Sequence, residues 1–304
     1  MKTRTRTKKV DCFVAGEANV DLLIQSKVAL EPGKEKLAED VQLALGGSSA
    51  ITAFNLSSLG ANVSFIGVLG RDVFGRFVRD RLAAGGINLS FLRQSQRENT
   101  GITIWFDKAG QRSGITYMGT IPLLSARDIP LDALERARHF HVGHYFLLQK
   151  LHPNAPALFA KIKRLGLTTS LDCNYDPTEK WDSHIRKVLP NVDIFFPNEQ
   201  EALKLSGCDN AEEAAKALGK LARIVAVKLG ERGVLVFNEG EMFQIPARRT
   251  RVVDTTGAGD SFNAGFLARF LQGASVCDCA KAGILAAARC VSHMGGTAAF
   301  ERRT

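Results

Sequence analysis

The spacing of apolar residues changes several times along this 304-residue chain, and each change predicts an element. Residues 10–17 are mostly apolar and predict a buried strand, followed closely by Asn19 and Asp21. Residues 22–45 are polar, are broken at Pro32-Gly33 and alternate weakly, as an exposed two-stranded flap would. Gly46-Gly47-Ser48-Ser49 then opens a helical pattern over 50–59 that Gly60 stops. A strand over 63–68 and a helix over 72–84 follow, the helix ended by Gly85-Gly86. From Thr100 the period returns to two. Ile102, Ile104 and Phe106 alternate with Thr103 and Trp105, a turn falls at 107–110, and Arg112 starts a return strand to Met118. The flap and this hairpin share a character that predicts one small sheet, a lid built from about 22–45 and 98–120.

Farther on the pattern becomes regular. Strands are predicted at 139–142, 168–172, 194–197, 224–228 and 234–237, with helical patterns between most of them and a last helix over 280–291. Strands alternating with helices predict an α/β fold, a mostly parallel central sheet with helices on both faces. The expected organisation is a single domain over 10–304 preceded by a tail over 1–9. Hydrophobic content of 45% with 23% charged residues suits a globular protein. No apolar run is long enough to span a bilayer, and no apolar segment stands behind the basic first residues, so no membrane partner and a cytoplasmic location are expected. The net charge of +9 changes this picture little, because Lys2, Arg4, Arg6, Lys8 and Lys9 supply five of those charges. That tail lacks the aromatic residues that stack on bases, and reads as a disordered, solvated arm with no nucleic-acid partner. The six cysteines form no zinc-binding set and read as reduced thiols.

The candidate chemistry centres on residues 254–262, Asp-Thr-Thr-Gly-Ala-Gly-Asp-Ser-Phe, between an extended run over 248–253 and a helical pattern. Gly257 and Gly259 let backbone N–H groups approach a ligand, and a helix start adds unpaired N–H groups and the positive end of its dipole. A carboxylate beside an anion site repels what the site attracts. Asp260 makes sense there if it removes a proton from an attacking hydroxyl, although a plain turn capped by Asp260 or Ser261 uses the same residues. Asn19 and Asp21 place polar groups near the end of a strand, where open α/β sheets bind ligands, or else form an ordinary Asx turn. Asn198 and Glu201 have the spacing of a capped helix start after Pro197. His139 and His141 share a strand face and read as structural or substrate-contacting residues. His144, near the strand's end, is a candidate for touching the acceptor. Asp172 and Asn174 occupy another strand end. No Walker-type phosphate loop occurs.

With these motifs in this order, the chain resembles the PfkB (ribokinase-like) carbohydrate kinases along nearly its whole length. The resemblance implies a ribokinase-like fold with a β-sheet lid, and transfer of phosphate from ATP to a hydroxyl, expected to be a primary one, of a small sugar or sugar derivative. A nucleoside acceptor, or a non-catalytic sugar or nucleotide sensor, are the alternatives. It implies that Asp260 is the base and that Gly257, Ala258 and Gly259 form the anion hole with it. Asn19, Asp21, Gly46 and Gly47 resemble the sugar-binding motifs, and Arg112, Tyr117 and His144 are further candidates for the acceptor. Asn198, Lys228, Gly230 and Gly233 resemble the nucleotide-binding positions. Asn198 and Glu201 resemble the pair that organises Mg2+, directly or through water. Asp254 and Thr256 resemble positions that hold a monovalent cation, such as K+, in many members. A homodimer through the lid is also implied. Where many members carry Asn, this chain has Ile51, so an amide able to bond a sugar hydroxyl is missing. Ribose is thereby put in doubt, and the acceptor is left open among hexoses, sugar acids and nucleosides.

Overall fold

The structure, a computed structural model, describes residues 10–108 and 111–301; the basic arm expected over 1–9 lies outside them. The described strands are β1 (Val10–Ala15), β2 (Asn19–Ser26), β3 (Asp40–Gly46), β4 (Val63–Leu69), β5 (Asn88–Gln94), β6 (Ile102–Lys108), β7 (Gln111–Tyr117), β8 (Ala137–Val142), β9 (Thr168–Leu171), β10 (Ile194–Phe195), β11 (Ile224–Lys228), β12 (Val234–Asn238) and β13 (Glu241–Ile245). Nine of them form one sheet in the order β13-β12-β11-β10-β9-β8-β1-β4-β5. From β5 to β11 every pairing is parallel; β12 and β13 add an antiparallel hairpin at one edge. Parallel strands buried on both faces need apolar side chains on both, which is why β4 (Val-Ser-Phe-Ile-Gly-Val-Leu) is buried throughout. Along β1, Phe13 and Ala15 enter one core and Cys12 and Val14 the other. The helices Ser48–Ser58, Ala258–Leu271 and Val276–Cys290 cover the second face, and Ala155–Arg164 and Ala211–Leu218 the first.

Two expectations change. Residues 248–253 lie in neither sheet, because their backbone turns to the end of the last helix instead: the Val253 N–H donates to Val291 O at 2.7 Å. The edge strands β5 and β13 were not expected. Asn88, Ser90, Arg93 and Gln94 of β5 are exposed, as edge positions allow, and so hide the strand in a polar sequence.

The other four strands form the small sheet, ordered β3-β2-β6-β7. Its register sets two faces. Asn19, Asp21, Thr103 and Thr116 share the inward face, as the Asn19–Thr103 and Thr103–Thr116 side-chain contacts require. The opposite face is apolar: Leu43, Leu22, Ile104 and Ile115 lie side by side on its outer part, and in the row of Val20, Ile102 and Tyr117 at its base Val20 is buried in the second core and Ile102 packs against it.

Candidate active site

Strand ends and two helix starts converge beside the large sheet's carboxyl edge. The helix Ala258–Leu271 starts at Gly257, in the left-handed region at φ 70° and with no side-chain cap. A Cβ there would lie 2.6 Å from Gly296 Cα, so both φ and space demand glycine. The Ala258 N–H donates to Thr255 O at 3.2 Å. Among the described residues no backbone acceptor meets the N–H of Gly259 or Asp260, which leaves these two amides at the positive end of the helix dipole. The Asp254 carboxylate shapes the turn before them, accepting from the Thr256 N–H at 2.9 Å, the Thr256 hydroxyl at 2.6 Å and the Gly295 N–H at 2.8 Å.

Asp260 stands in the first turn of that helix and accepts a short hydrogen bond from Ser48 Oγ, at the start of the helix Ser48–Ser58. Burial pushes its carboxyl up to about 7, helped by the nearby Asp172 and Glu17 carboxylates, while Ser48 and Lys228 oppose the rise. Asn174 Nδ2 also donates to Ser48 Oγ, at 3.0 Å. Behind them, wholly buried Asp172 accepts from Lys228 Nζ at 2.6 Å and Asn263 Nδ2 at 2.5 Å. Burial alone would lower the Lys228 pKa, but Asp172 and Glu201 outweigh it and keep the ammonium charged. Lys228 Nζ lies close to Gly259, 3.4 Å from where a Cβ would be.

Asn198 and Glu201 form a reciprocal cap on the helix Glu199–Ser206. Asn198 Oδ1 accepts from the Glu201 N–H at 2.9 Å, and the Glu201 carboxylate accepts from the Asn198 N–H at 2.9 Å and from its Nδ2 at 2.5 Å. Asn198 thus orients Glu201. Burial and the Asp172 charge raise the pKa of Glu201. Ligand atoms of Asp172, Cys173 and Glu201 lie within 4.8 Å of one another. The two carboxylates suit a hard cation such as Mg2+, whereas burial and both carboxylates push the Cys173 thiol far up and keep it protonated.

At the other end, Asn19 Nδ2 donates to Asp21 Oδ1 at 3.2 Å, and both side chains lie over Gly46 and Gly47. A Cβ on Gly46 would meet Asp21 Oδ1 at 2.3 Å, and one on Gly47 would meet Asn19 Oδ1 at 2.8 Å. His144 Nδ1 lies 3.2 Å from the buried Glu17 carboxylate, which also accepts from Ser49 Oγ at 2.6 Å. Burial lowers the His144 pKa, but Glu17 more than offsets it and the net shift is upward. A cleft of about 710 Å³ opens on the far side of Gly259. Lys228, Gly230 and Gly233 line it with Arg248 and Arg249, against an apolar wall that includes Phe262, Ile284 and Ala288. That size and lining suit a small organic ligand.

Most of the expected residues therefore come together, with two changes. Tyr117 faces outward opposite Ile102 and is half exposed; the inward position belongs to Thr116. Arg112 lies on the inward row opposite Asp107, with its side chain outside the described residues. Ile51 is buried against Gly257 and Gly296, where it packs beneath the glycine turn. His139 and His141 are buried structural groups on Thr168 and Ser170; burial holds both neutral and pushes His141 down to about 4. Sequence reasoning missed Glu17, Ser48 and Asn263. The i, i+3 spacing of Asp260 and Asn263 on one helix was an available signal.

Comparison with known proteins shows the family and the fold. The model of the pfkB family carbohydrate kinases matches residues 9–303. A ribokinase of Haemophilus influenzae is 30% identical over 299 residues, covering 95% of this chain and 95% of its own. The structure of Arabidopsis thaliana ribokinase complexed with ribose and ATP superposes with a TM-score of 0.79, at 27% identity and 94% coverage of each chain. An E. coli protein assigned as a ribokinase II, in complex with ATP and Mg2+, gives a TM-score of 0.84 at 25% identity and 96% coverage of each.

Proposed function

The chain belongs to the pfkB family of carbohydrate kinases, and from that premise we propose that it transfers the γ-phosphate of ATP to a hydroxyl, expected to be primary, of a small sugar or sugar derivative. One observation carries the reading: Asp260 accepts from the Ser48 hydroxyl in the first turn of a helix whose Gly259 and Asp260 amides meet no backbone acceptor among the described residues, next to the 710 Å³ cleft that Gly259 lines. In this reading the nucleotide lies along Gly230, Gly233 and the apolar wall. The acceptor is held by Asn19 and Asp21 over Gly46 and Gly47, with His144 beside it. Asp260 takes the proton from the attacking hydroxyl, and the Gly259 and Asp260 amides with Lys228 stabilise charge on the transferring group.

Glu201, oriented by Asn198, and Asp172 would hold Mg2+, which when bound neutralises phosphate charge. Asp254 and Thr256 are the candidates for a monovalent-cation site beside the turn. The outward lid face, with Val41, Leu43, Ile115 and Tyr117 exposed, suits a homodimer. The test is ADP release with ATP and Mg2+ across a panel of sugars, sugar acids and nucleosides. No release with any acceptor would reject the reading, and a preference for nucleosides would redirect it to a nucleoside kinase.

A further inference from the structure

The helix Ser48–Ser58 presents one stripe to the helix that carries Asp260. Ser48 Oγ donates to the Asp260 carboxylate, Thr52 Oγ1 lies 3.4 Å from the Asp260 carbonyl, and Ile51 packs on Gly257 and Gly296. Asn55 continues the stripe one turn on. It is wholly buried, and its Nδ2 donates to Ser261 Oγ at 2.9 Å and to Gly296 O at 3.0 Å. Among the described residues its Oδ1 has no hydrogen-bond partner. A buried amide that leaves one of its own atoms unsatisfied costs stability that an apolar residue of similar volume would not. Packing therefore does not explain Asn55, and its two donor bonds point to a different role.

Both acceptors adjoin the reacting groups. Ser261 follows Asp260 in the chain. Gly296 lies under Gly257, and its neighbour Gly295 is the residue whose N–H the Asp254 carboxylate holds. A single side chain therefore ties together the helix start, the glycine turn and the carboxyl-terminal segment beneath them. Given the kinase reading above, we infer that Asn55 is a positioning residue, which fixes Asp260 and the Gly259–Asp260 amides relative to Ser48 through Ser261 and Gly296. The mechanism needs such a device. In-line transfer tolerates little displacement, and a shift of about 1 Å costs on the order of 100-fold in rate.

Asn55→Leu preserves volume while removing both donor bonds. Expected are a fall in kcat of about 10- to 100-fold, ADP affinity within about twofold, and an acid limb of the pH–rate profile moved to higher pH as the Ser48–Asp260 bond loosens. Hydrogen exchange of the segment 255–262 should rise about tenfold, a readout that does not depend on catalysis. Ser261→Ala removes one of the two acceptors and leaves Asn55 in place; it should move kcat and exchange in the same direction by a smaller amount, and it serves if Asn55→Leu does not fold. A variant that melts at lower temperature but keeps its kcat, pH profile and exchange would overturn the inference. A wild-type protein that phosphorylates no acceptor rejects the kinase reading instead, and exchange alone then decides the role of Asn55.

Discussion

Two helices in this molecule begin at an uncapped glycine with positive φ, and they use the same backbone device differently. At Gly47 (φ 91°) the space a side chain would fill is taken by the Asn19 carboxamide, so the glycine lets a lid residue pass over the helix start. At Gly257 (φ 70°) that space is taken by Gly296 backbone from below, and the next amides open toward the cleft. The first glycine therefore brings a recognition group close, and the second leaves donors for a ligand. Ser48 and Asp260, one residue past the first glycine and three past the second, join the two starts through a hydrogen bond. On the proposed function, the acceptor end is shaped by side chains reaching across and the phosphate end by backbone, so substitutions at the two ends should fail in different ways.

The largest effect should come where the two ends meet. Asp260→Asn is expected to lower kcat by about 100- to 10,000-fold, with ADP affinity measured by calorimetry unchanged; turnover near wild type would remove Asp260 from the mechanism. Next, Gly257→Ala should destabilise by about 1–3 kcal/mol through strain and the clash with Gly296, and should lower kcat with it, as thermal melting and steady-state kinetics would reveal. Gly46→Ala should instead raise the acceptor KM by about tenfold, on the order of 1.4 kcal/mol, and leave the KM for ATP alone. Equal effects on both substrates would erase the contrast between the two helix starts.

A smaller change tests the join itself. As the proposed base Asp260 must be ionised, and its pKa is raised to about 7, so kcat/KM should fall as pH drops through about 7 and level off above it. Ser48 donates to the charged form and lowers that pKa, so Ser48→Ala should shift the acid limb to higher pH. A limb that stays put would mean that another group titrates. Smallest of all for catalysis, Ile115→Asp on the outward lid face should leave kcat unchanged while sedimentation reports dissociation of the proposed homodimer. An unchanged mass would locate the contact elsewhere or exclude it.

The sequence made the phosphate end more legible than the acceptor end, for a physical reason. Backbone devices need glycine at fixed spacing, and the Gly257–Asp260 turn and the Asn198–Glu201 cap both declare themselves within a few residues. The acceptor end depends on contacts between distant segments. Glu17 meets His144, and Asn19 meets Thr103, through pairings that only the sheet register supplies. Alternation predicted the hairpin, but not which of its faces would turn inward, and so Tyr117 was expected where Thr116 lies. In the large sheet, interior strands such as β11 were legible from continuous apolar runs. The edge strands β5 and β13 were not, because an edge tolerates polar residues. Residues 248–253 read as extended and make no ladder, since Val253 bonds instead to Val291.

The pinning of Gly295 and Gly296 also bears on the order in which the protein is made. Asp254 and Asn55 lie far upstream of their glycine partners, so the ribosome must translate through Gly296 before the turn at Gly257 gains the backbone that supports it from below. A nascent chain that has already displayed Asp260 still lacks that support. The parallel strands end at β11, upstream of that segment, and so can pair without it, whereas the proposed site cannot be complete until it is present.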